Sequence, residues 1–244
     1  MSKPQQFKFY TGVIGYPLFF VLLLWYVFWA QIEFFPAIKR LGIIPRTVEG
    51  LKGIVFSPFI HASVEHLYHN SIPLFVLMAL LFYFYRKIAW KVIVLGILLS
   101  GLITWCIGRS GDHIGASGLI YVLVSFIFFK GIFAKYYRLV ALSLLMIFLY
   151  GSLIWYVFPV KEGISWEGHL GGFITGFFFS LIFRKPIAKP EKYEWQHPEY
   201  NEDDDPFLKH FDEHGNFIEH IEPEKEENPD DPPKIVYKYK KDKD

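Results

Sequence analysis

Apolar residues in this chain are grouped into six blocks that are separated by short polar stretches. An apolar run of about 20 residues has the length at which an α-helix, rising about 1.5 Å per residue, crosses a bilayer. The pattern therefore predicts an all-α membrane protein built as a bundle of six spanning helices. The last block is short enough to start part-way into the bilayer. The blocks comprise residues 13–30, 67–85, 90–108, 114–133, 138–158 and 168–183.

Lysine and arginine residues lie at alternating ends of these blocks, within residues 3–8, 86–91, 130–138 and 184–189. Because basic loops stay on the cytoplasmic side of a membrane, the alternation predicts that both termini are cytoplasmic. The basic loop 31–60 runs against this rule and is outweighed by the other loops. The basic residues before the first block would also suit a signal peptide, but the block is long and no small-residue cleavage site follows it.

The composition agrees with a membrane environment, since 52% of the 244 residues are apolar and 20% are aromatic, which excludes an ordinary soluble domain. The net charge of +1 hides an acidic C-terminal part. We therefore predict a membrane domain over residues 1–185 and an acidic, disordered cytoplasmic tail over residues 186–244. Within the tail, "DPFLKHFDEHGNFIEHI" is interpreted as a short helix or hairpin for a cytoplasmic partner. A single cysteine, Cys106, excludes an intramolecular disulfide.

Two polar side chains share one face of the second predicted helix, because His66 and Asn70 are four residues apart. Ionisable groups at membrane depth are costly and normally face the protein interior or a wet cavity. His66 alone is compatible with a histidine at the membrane interface, whereas His66 and Asn70 together indicate a helix face that presents hydrogen-bond donors.

Other polar residues near these segments have simpler interpretations. His113 is expected to contact water or a backbone carbonyl. Three carboxylates are expected to be solvated charges: Glu65, Glu162 and Glu167.

The stretch "DHIGASGLIYVLVSF" places Ser117 between glycines at the start of the fourth block. Taken alone, "GASG" favours a packing contact between helices. The preceding loop is polar, and such a loop is tolerated at membrane depth only where protein buries it or where it lines a water-filled cavity. If this loop enters the membrane domain, Ser117 lies at a helix N-terminus. Free N–H groups there favour negative charge, as a reaction oxyanion requires. His169, at the start of the sixth block, is the candidate base, and Gly172 and Gly176 after it allow close helix packing.

Together, "HASVEHLYHN", "GASG" and "GHLGGFITG" resemble the motifs of the rhomboid intramembrane serine proteases, over about residues 56–183. The resemblance implies a six-helix rhomboid-like bundle whose short fourth helix starts inside the bilayer. It implies a serine endopeptidase that hydrolyses peptide bonds of transmembrane proteins without a cofactor or a metal. The expected partners are such substrates and the lipid bilayer, with no nucleic acid, and the expected location is a bacterial inner membrane.

The resemblance also implies a role for each matching residue. Ser117 would be the nucleophile and His169 the base of a catalytic dyad. His66 and Asn70 would hold the oxyanion together with the N–H of Ser117, and Tyr121 would pack against the histidine of the dyad. Four further residues match supporting positions: Gly115, Gly172, Gly176 and His61. The first outer loop departs from the pattern, because it lacks the Trp-Arg pair that many members carry.

Two other functions stay open from the sequence. A non-catalytic relative would bind and escort membrane clients, but such relatives typically lack the serine or the histidine, and this chain keeps both. A transporter would use the histidines as a metal or proton pathway, but no cysteine or carboxylate cluster accompanies them within the helices.

Three aromatic residues lie near the end of the fifth block: Trp155, Tyr156 and Phe158. They form either a mobile side wall, through which a substrate helix enters from the lipid, or an aromatic belt at the membrane interface.

Overall fold

The computed structural model of the protein describes residues 9–135, 137–149, 155–161, 163–183, 193–212 and 214–218. Within these ranges the chain forms α-helices, short 3₁₀-helices and two isolated β-bridges, and no strand beyond these bridges. It divides into two compact units, Met1–Pro190 and Glu191–Asp244. The α-helices of the described residues are α1 (Gly12–Glu33), α2 (Gly53–Phe56), α3 (Val64–Tyr85), α4 (Ala89–Ile107), α5 (Ser117–Phe133), α6 (Tyr137–Leu149) and α7 (Trp166–Ile182).

Three of these helices are long and apolar enough to cross a membrane: α1 and α3 with 22 residues each, and α4 with 19. The apolar helix α5 is shorter, with 17 residues. Helices α1 and α3 to α7 each overlap one of the six predicted apolar blocks, and α2 is a single turn in the first loop. The fifth block, predicted over residues 138–158, overlaps α6 and contains, near its end, the separate 3₁₀-helix Trp155–Val157. The prediction of an all-α membrane protein is therefore confirmed for the described residues.

The helix that carries the serine, α5, lies at the centre of the first unit. Every residue from Leu119 to Ile127 is buried, so this helix has no polar face, as expected of a helix that is surrounded by others. Its apolar side chains pack into a core with α1, α3 and α4. The largest fully buried side chains include Leu24, Leu67, Phe82, Ile93 and Phe126.

Helices α3 and α7 begin at serine caps. The side-chain oxygen of Ser63 accepts a hydrogen bond from the N–H of His66 at 3.1 Å, and that of Ser165 accepts one from the N–H of Gly168 at 3.3 Å. Such caps satisfy donors that the first helical turn leaves without a partner. Helix α3 continues through Pro73 to Tyr85, so the proline does not end the helix.

Glycines let α5 and α7 meet backbone to backbone. A Cβ atom added at Gly172 would lie 2.2 Å from the carbonyl oxygen of Gly118, and one added at Gly176 would lie 2.3 Å from that of Val122. No side chain fits at either position without moving the helices apart. This is the close approach that the spacing of small residues predicts.

The first loop packs against the loop that leads into α5. Ile43 and His113 exchange two backbone hydrogen bonds of 2.9 Å, and the N–H of Gly115 donates to the carbonyl of Ser57 at 2.8 Å. The guanidinium of Arg46 donates to the carbonyl of Gly108 at 2.8 Å. These contacts show how a loop without the Trp-Arg pair is held, and they keep residues 108–116 in place.

The described residues of the second unit form short 3₁₀-helices and a small hairpin. Phe211 and Phe217 pair as an antiparallel bridge, and the carboxylate of Asp212 accepts hydrogen bonds from the N–H groups of His214 and Asn216 at 2.9 and 2.8 Å. Hydrogen bonding from the Asn216 side chain and backbone holds the pKa of Asp212 below its usual value. Of the two predicted forms, helix or hairpin, the described part of this segment adopts the hairpin between Phe211 and Phe217. Binding of a cytoplasmic partner and disorder of the tail stay predictions.

Candidate active site

Ser117 and His169 face each other across the seam between α5 and α7. Ser117 is the first residue of α5, and His169 lies in the first turn of α7. The Nε2 atom of His169 is 2.9 Å from the Oγ atom of Ser117. His169 is 6% exposed, so little water competes for this contact. A serine hydroxyl and an imidazole in this geometry can exchange a proton.

The backbone carbonyl of Tyr156 decides which nitrogen of His169 carries the hydrogen. The Nδ1 atom of His169 is 2.8 Å from this oxygen, which can only accept a hydrogen bond. The partners therefore assign the hydrogen to Nδ1 and leave Nε2 free to accept the hydroxyl proton of Ser117. A carbonyl thus takes the orienting position that an aspartate holds in a catalytic triad.

The ring of Tyr121 supports the imidazole of His169. The two rings are stacked, with centroids 4.3 Å apart and an angle of 19° between their planes. Tyr121 is 2% exposed, and its hydroxyl has no hydrogen-bond partner among the described residues. The contact of Tyr121 with His169 is therefore made by the ring face and not by the hydroxyl.

His66 and Asn70 reach the backbone that leads into Ser117. A Cβ atom added at Gly115 would lie 2.7 Å from the Nε2 of His66 and 3.8 Å from the Nδ2 of Asn70. Gly115 has a φ of +108°, a conformation that favours glycine. The Asn70 amide donates one hydrogen bond to the carbonyl of His66 at 2.9 Å, which fixes its orientation and leaves its second N–H group available.

His61 lies next to His66. Its ring is fully buried and meets the His66 ring edge to face, with centroids 5.1 Å apart. Burial, followed by the neighbouring His66, lowers the pKa of His61 to about 3, so the ring is uncharged at neutral pH. The side chain of Gln31 donates to the backbone carbonyl of His61 at 3.0 Å. This arrangement ties the supporting histidine to α1.

Metal-binding geometry is absent from the part of the chain that the structure describes. No group of three histidine, cysteine, aspartate or glutamate side chains there is placed to hold an ion.

Comparison with known proteins identifies the family. The family model for the Rhomboid domain matches residues 49–186, which is more than half of the chain. The chain belongs to the rhomboid family. The resemblance seen in the motifs is thereby confirmed.

The chain also resembles curated mycobacterial proteins. An uncharacterised protein of Mycobacterium tuberculosis is 36% identical over 158 residues, which cover 61% of this chain and 65% of that protein. An uncharacterised protein of Mycobacterium bovis matches equally well, and one of Mycobacterium leprae is 33% identical over 164 residues. The chain therefore spans slightly less than two thirds of the length of these relatives.

Within this rhomboid, the residues predicted for the site come together from three helices. Helix α3 contributes the two predicted oxyanion donors, α5 contributes the serine and the tyrosine, and α7 contributes the histidine. His61 lies in the loop before α3. Of the predicted glycines, Gly172 and Gly176 lie where α7 meets the backbone of α5, and Gly115 lies against the side chain of His66.

The sequence analysis was wrong about Glu167, which is 1% exposed and not a solvated charge. Glu65, in contrast, has an 85% exposed side chain, and Glu162 lies outside the described residues. His113 contacts a backbone carbonyl, as expected, but also the hydroxyl of Ser165. The sequence held one hint that Glu167 belongs to the site, namely its position two residues before the predicted base, His169. It could not show that Glu167 is buried, because burial of a helix end depends on which loop covers that end.

Proposed function

We propose that this rhomboid is an intramembrane serine endopeptidase that hydrolyses peptide bonds of transmembrane proteins with a Ser117/His169 dyad. The observation that carries the proposal is the 2.9 Å contact between Ser117 Oγ and His169 Nε2, in a histidine whose other nitrogen is held by a carbonyl. A serine hydroxyl beside an imidazole in its base form is what acyl transfer requires.

Acylation begins when the Oγ atom of Ser117 bonds to the carbonyl carbon of the scissile peptide and its proton passes to Nε2 of His169. The negative charge then lies on the former carbonyl oxygen. The N–H group of Ser117, at the start of a helix, together with His66 and Asn70, supplies the donors for that oxygen. As the C–N bond breaks, His169 gives its proton to the leaving amine.

Deacylation repeats these steps with water as the nucleophile. Water bonds to the acyl carbon, its proton passes to His169, and the same proton returns to Ser117 when the ester bond breaks. Ser117 lines a cavity together with three further hydroxyl-bearing residues, Ser57, Ser100 and Thr104. Hydroxyl groups of this kind supply the several hydrogen-bond partners that a water molecule in a protein needs.

The proposed membrane arrangement has six spans, formed by α1 and α3 to α7, with both termini in the cytoplasm of a bacterium. It is supported by the three helices of spanning length and by the alternation of basic clusters along the sequence. In this arrangement the short helix α5 starts inside the bilayer, at Ser117. The acidic tail would then face cytoplasmic partners.

The test uses purified protein in proteoliposomes with a single-pass transmembrane substrate. The wild type should cleave the substrate and react with a fluorophosphonate probe at Ser117, and Ser117→Ala should do neither at unchanged expression. Cleavage retained by Ser117→Ala would refute the assignment. A wild type that binds the substrate but neither cleaves it nor reacts with the probe would identify a client-binding protein instead.

A further inference from the structure

Two polar contacts fasten the beginning of α7 to the loop over residues 108–116. In the first, the Oε1 atom of Glu167 accepts a hydrogen bond from the backbone N–H of Arg109 at 3.1 Å and lies 3.7 Å from the Nε of Arg109. The guanidinium of Arg109 also donates to the carbonyl of Ile164. The carboxylate at the start of α7 is thus bound to the loop through both the backbone and the side chain of one residue.

The second contact is a chain of hydrogen bonds through His113. Its Nε2 atom is 3.0 Å from the carbonyl oxygen of Arg109, which assigns the hydrogen to Nε2. Its Nδ1 atom, 2.5 Å from the Oγ of Ser165, then accepts the hydroxyl proton. Ser165 in turn accepts from the N–H of Gly168, so the N-cap of α7 is part of the same chain.

The burial of Glu167 indicates that its contact with Arg109 has a structural role. Its side chain is 1% exposed, and its Oε2 atom has no hydrogen-bond partner among the described residues. A carboxylate that is buried with half of its acceptors unused is costly. Its proximity to a helix N-terminus offsets part of this cost.

The seam between α5 and α7 is held in its middle and at both ends. In the middle, the backbones meet at Gly172 and Gly176, and the Oγ of Ser125 donates to the carbonyl of Phe173 at 2.8 Å. These contacts all lie after His169 in α7, so the first turn of α7 needs further contacts to fix its position. At the far end, the Nζ of Lys130 donates to the carbonyl of Phe183 at 2.5 Å. At the near end are the two contacts of Glu167 and His113.

The near end is also where the dyad lies. His169 is two residues after Glu167 on α7, and Ser117 is four residues after His113 in the segment that enters α5. Because the first loop and Ser57 hold the other side of residues 108–116, the loop forms a fixed support. A displacement of the start of α7 would change the separation of Ser117 and His169 directly.

We propose that Glu167 and His113 are positioning residues of the dyad, which hold His169 within hydrogen-bond distance of Ser117. The inference rests on the proposed protease function. It predicts that loss of either contact lowers the rate of the chemical step and leaves substrate binding unchanged, because the proposed mechanism gives neither side chain a contact with the scissile peptide.

The experiment compares Glu167→Ala, His113→Phe and Glu167→Gln with wild type in proteoliposomes. A displacement of about 1 Å at a reacting centre costs about 100-fold in rate, so the first two variants should lose about 100-fold in kcat with KM unchanged. Fluorophosphonate labelling of Ser117 should slow in parallel. Glu167→Gln keeps an oxygen that accepts from the N–H of Arg109 and should recover most of the rate.

Lys130→Met is the matched control, because it removes the contact between the same two helices at the far end. It should lower the midpoint of thermal unfolding as much as Glu167→Ala does, and leave kcat near wild type. Equal losses of kcat in the two variants, or a wild-type kcat in Glu167→Ala, would overturn the positioning role while the protease function stands. A wild type without cleavage or labelling would overturn the protease function, and with it this inference.

Discussion

Replacement of Gly172 by alanine tests whether the backbone contact of α5 and α7 sets the geometry of the dyad. The added Cβ atom would lie 2.2 Å from the carbonyl oxygen of Gly118 and 2.8 Å from the Cβ of Tyr121. Carbon and oxygen atoms approach to about 3.3 Å in close contacts, so the two helices must separate locally by about 1 Å. Neither neighbouring atom is the end of a flexible side chain that could move away.

The separation acts on the contact between Ser117 and His169, because Ser117 directly precedes Gly118 and His169 is one helical turn before Gly172. A bond of 2.9 Å that lengthens by about 1 Å is no longer a hydrogen bond. We therefore expect Gly172→Ala to lose about 100-fold in kcat, the cost of a 1 Å misplacement. Thermal stability should fall as well, since overpacking in a well-packed site costs roughly 1–3 kcal/mol.

The assay measures kcat with a transmembrane substrate in proteoliposomes, the rate of fluorophosphonate labelling and the midpoint of thermal unfolding. Gly15→Ala is the matched control, because it also replaces a glycine within a helix, but outside the adjoining backbone of its own helix no atom lies within 4 Å of the new Cβ. The control should cleave at the wild-type rate and be slightly more stable, by roughly 0.5–1 kcal/mol. Gly172→Ala with wild-type labelling and cleavage would refute the reasoning.

Three further variants test individual groups of the site. Asn70→Ala should lower kcat by about 100-fold, the usual effect of removing one oxyanion donor, and a loss as complete as that of a serine variant would contradict this role. Tyr121→Phe should keep wild-type kcat, because the tyrosine hydroxyl has no partner among the described residues; a large loss would show that this hydroxyl takes part. His61→Phe should weaken the pH dependence of stability. The pKa of His61 is lowered from 6.5 to about 3 on folding, so the unfolded chain binds the extra proton, and wild-type stability falls as pH drops from 6.5 towards about 3. Thermal unfolding in detergent between these pH values would measure the difference, and identical slopes for the two proteins would contradict it.

The helices of this protein could be predicted because their signal is local. A run of apolar residues marks each helix wherever it lies in the fold, and the four-residue spacing of His66 and Asn70 places both on one helix face. The small residues Gly172 and Gly176 likewise predict a close contact with another helix, but they do not indicate which helix. The order of the three motifs was enough to identify the rhomboid family.

The contacts that complete the candidate site could not be predicted in the same way. The carbonyl of Tyr156 orients His169, but every residue has a carbonyl, so no sequence pattern distinguishes this one. Glu167 has the composition of a solvated helix end and is buried only because the loop at Arg109 covers it. Both facts depend on how distant segments meet.

The sequence by itself thus determined the membrane class, the helices and the chemical types of the side chains that the site contains. Only the tertiary structure decided that Ser117 and His169, which are 52 residues apart in the chain, lie 2.9 Å apart. The physical reason is the range of the interactions. A helix is specified by residues that are close together in the sequence. The separation of two side chains on different helices is set instead by backbone packing between the helices and by the polar contacts that hold the helix ends.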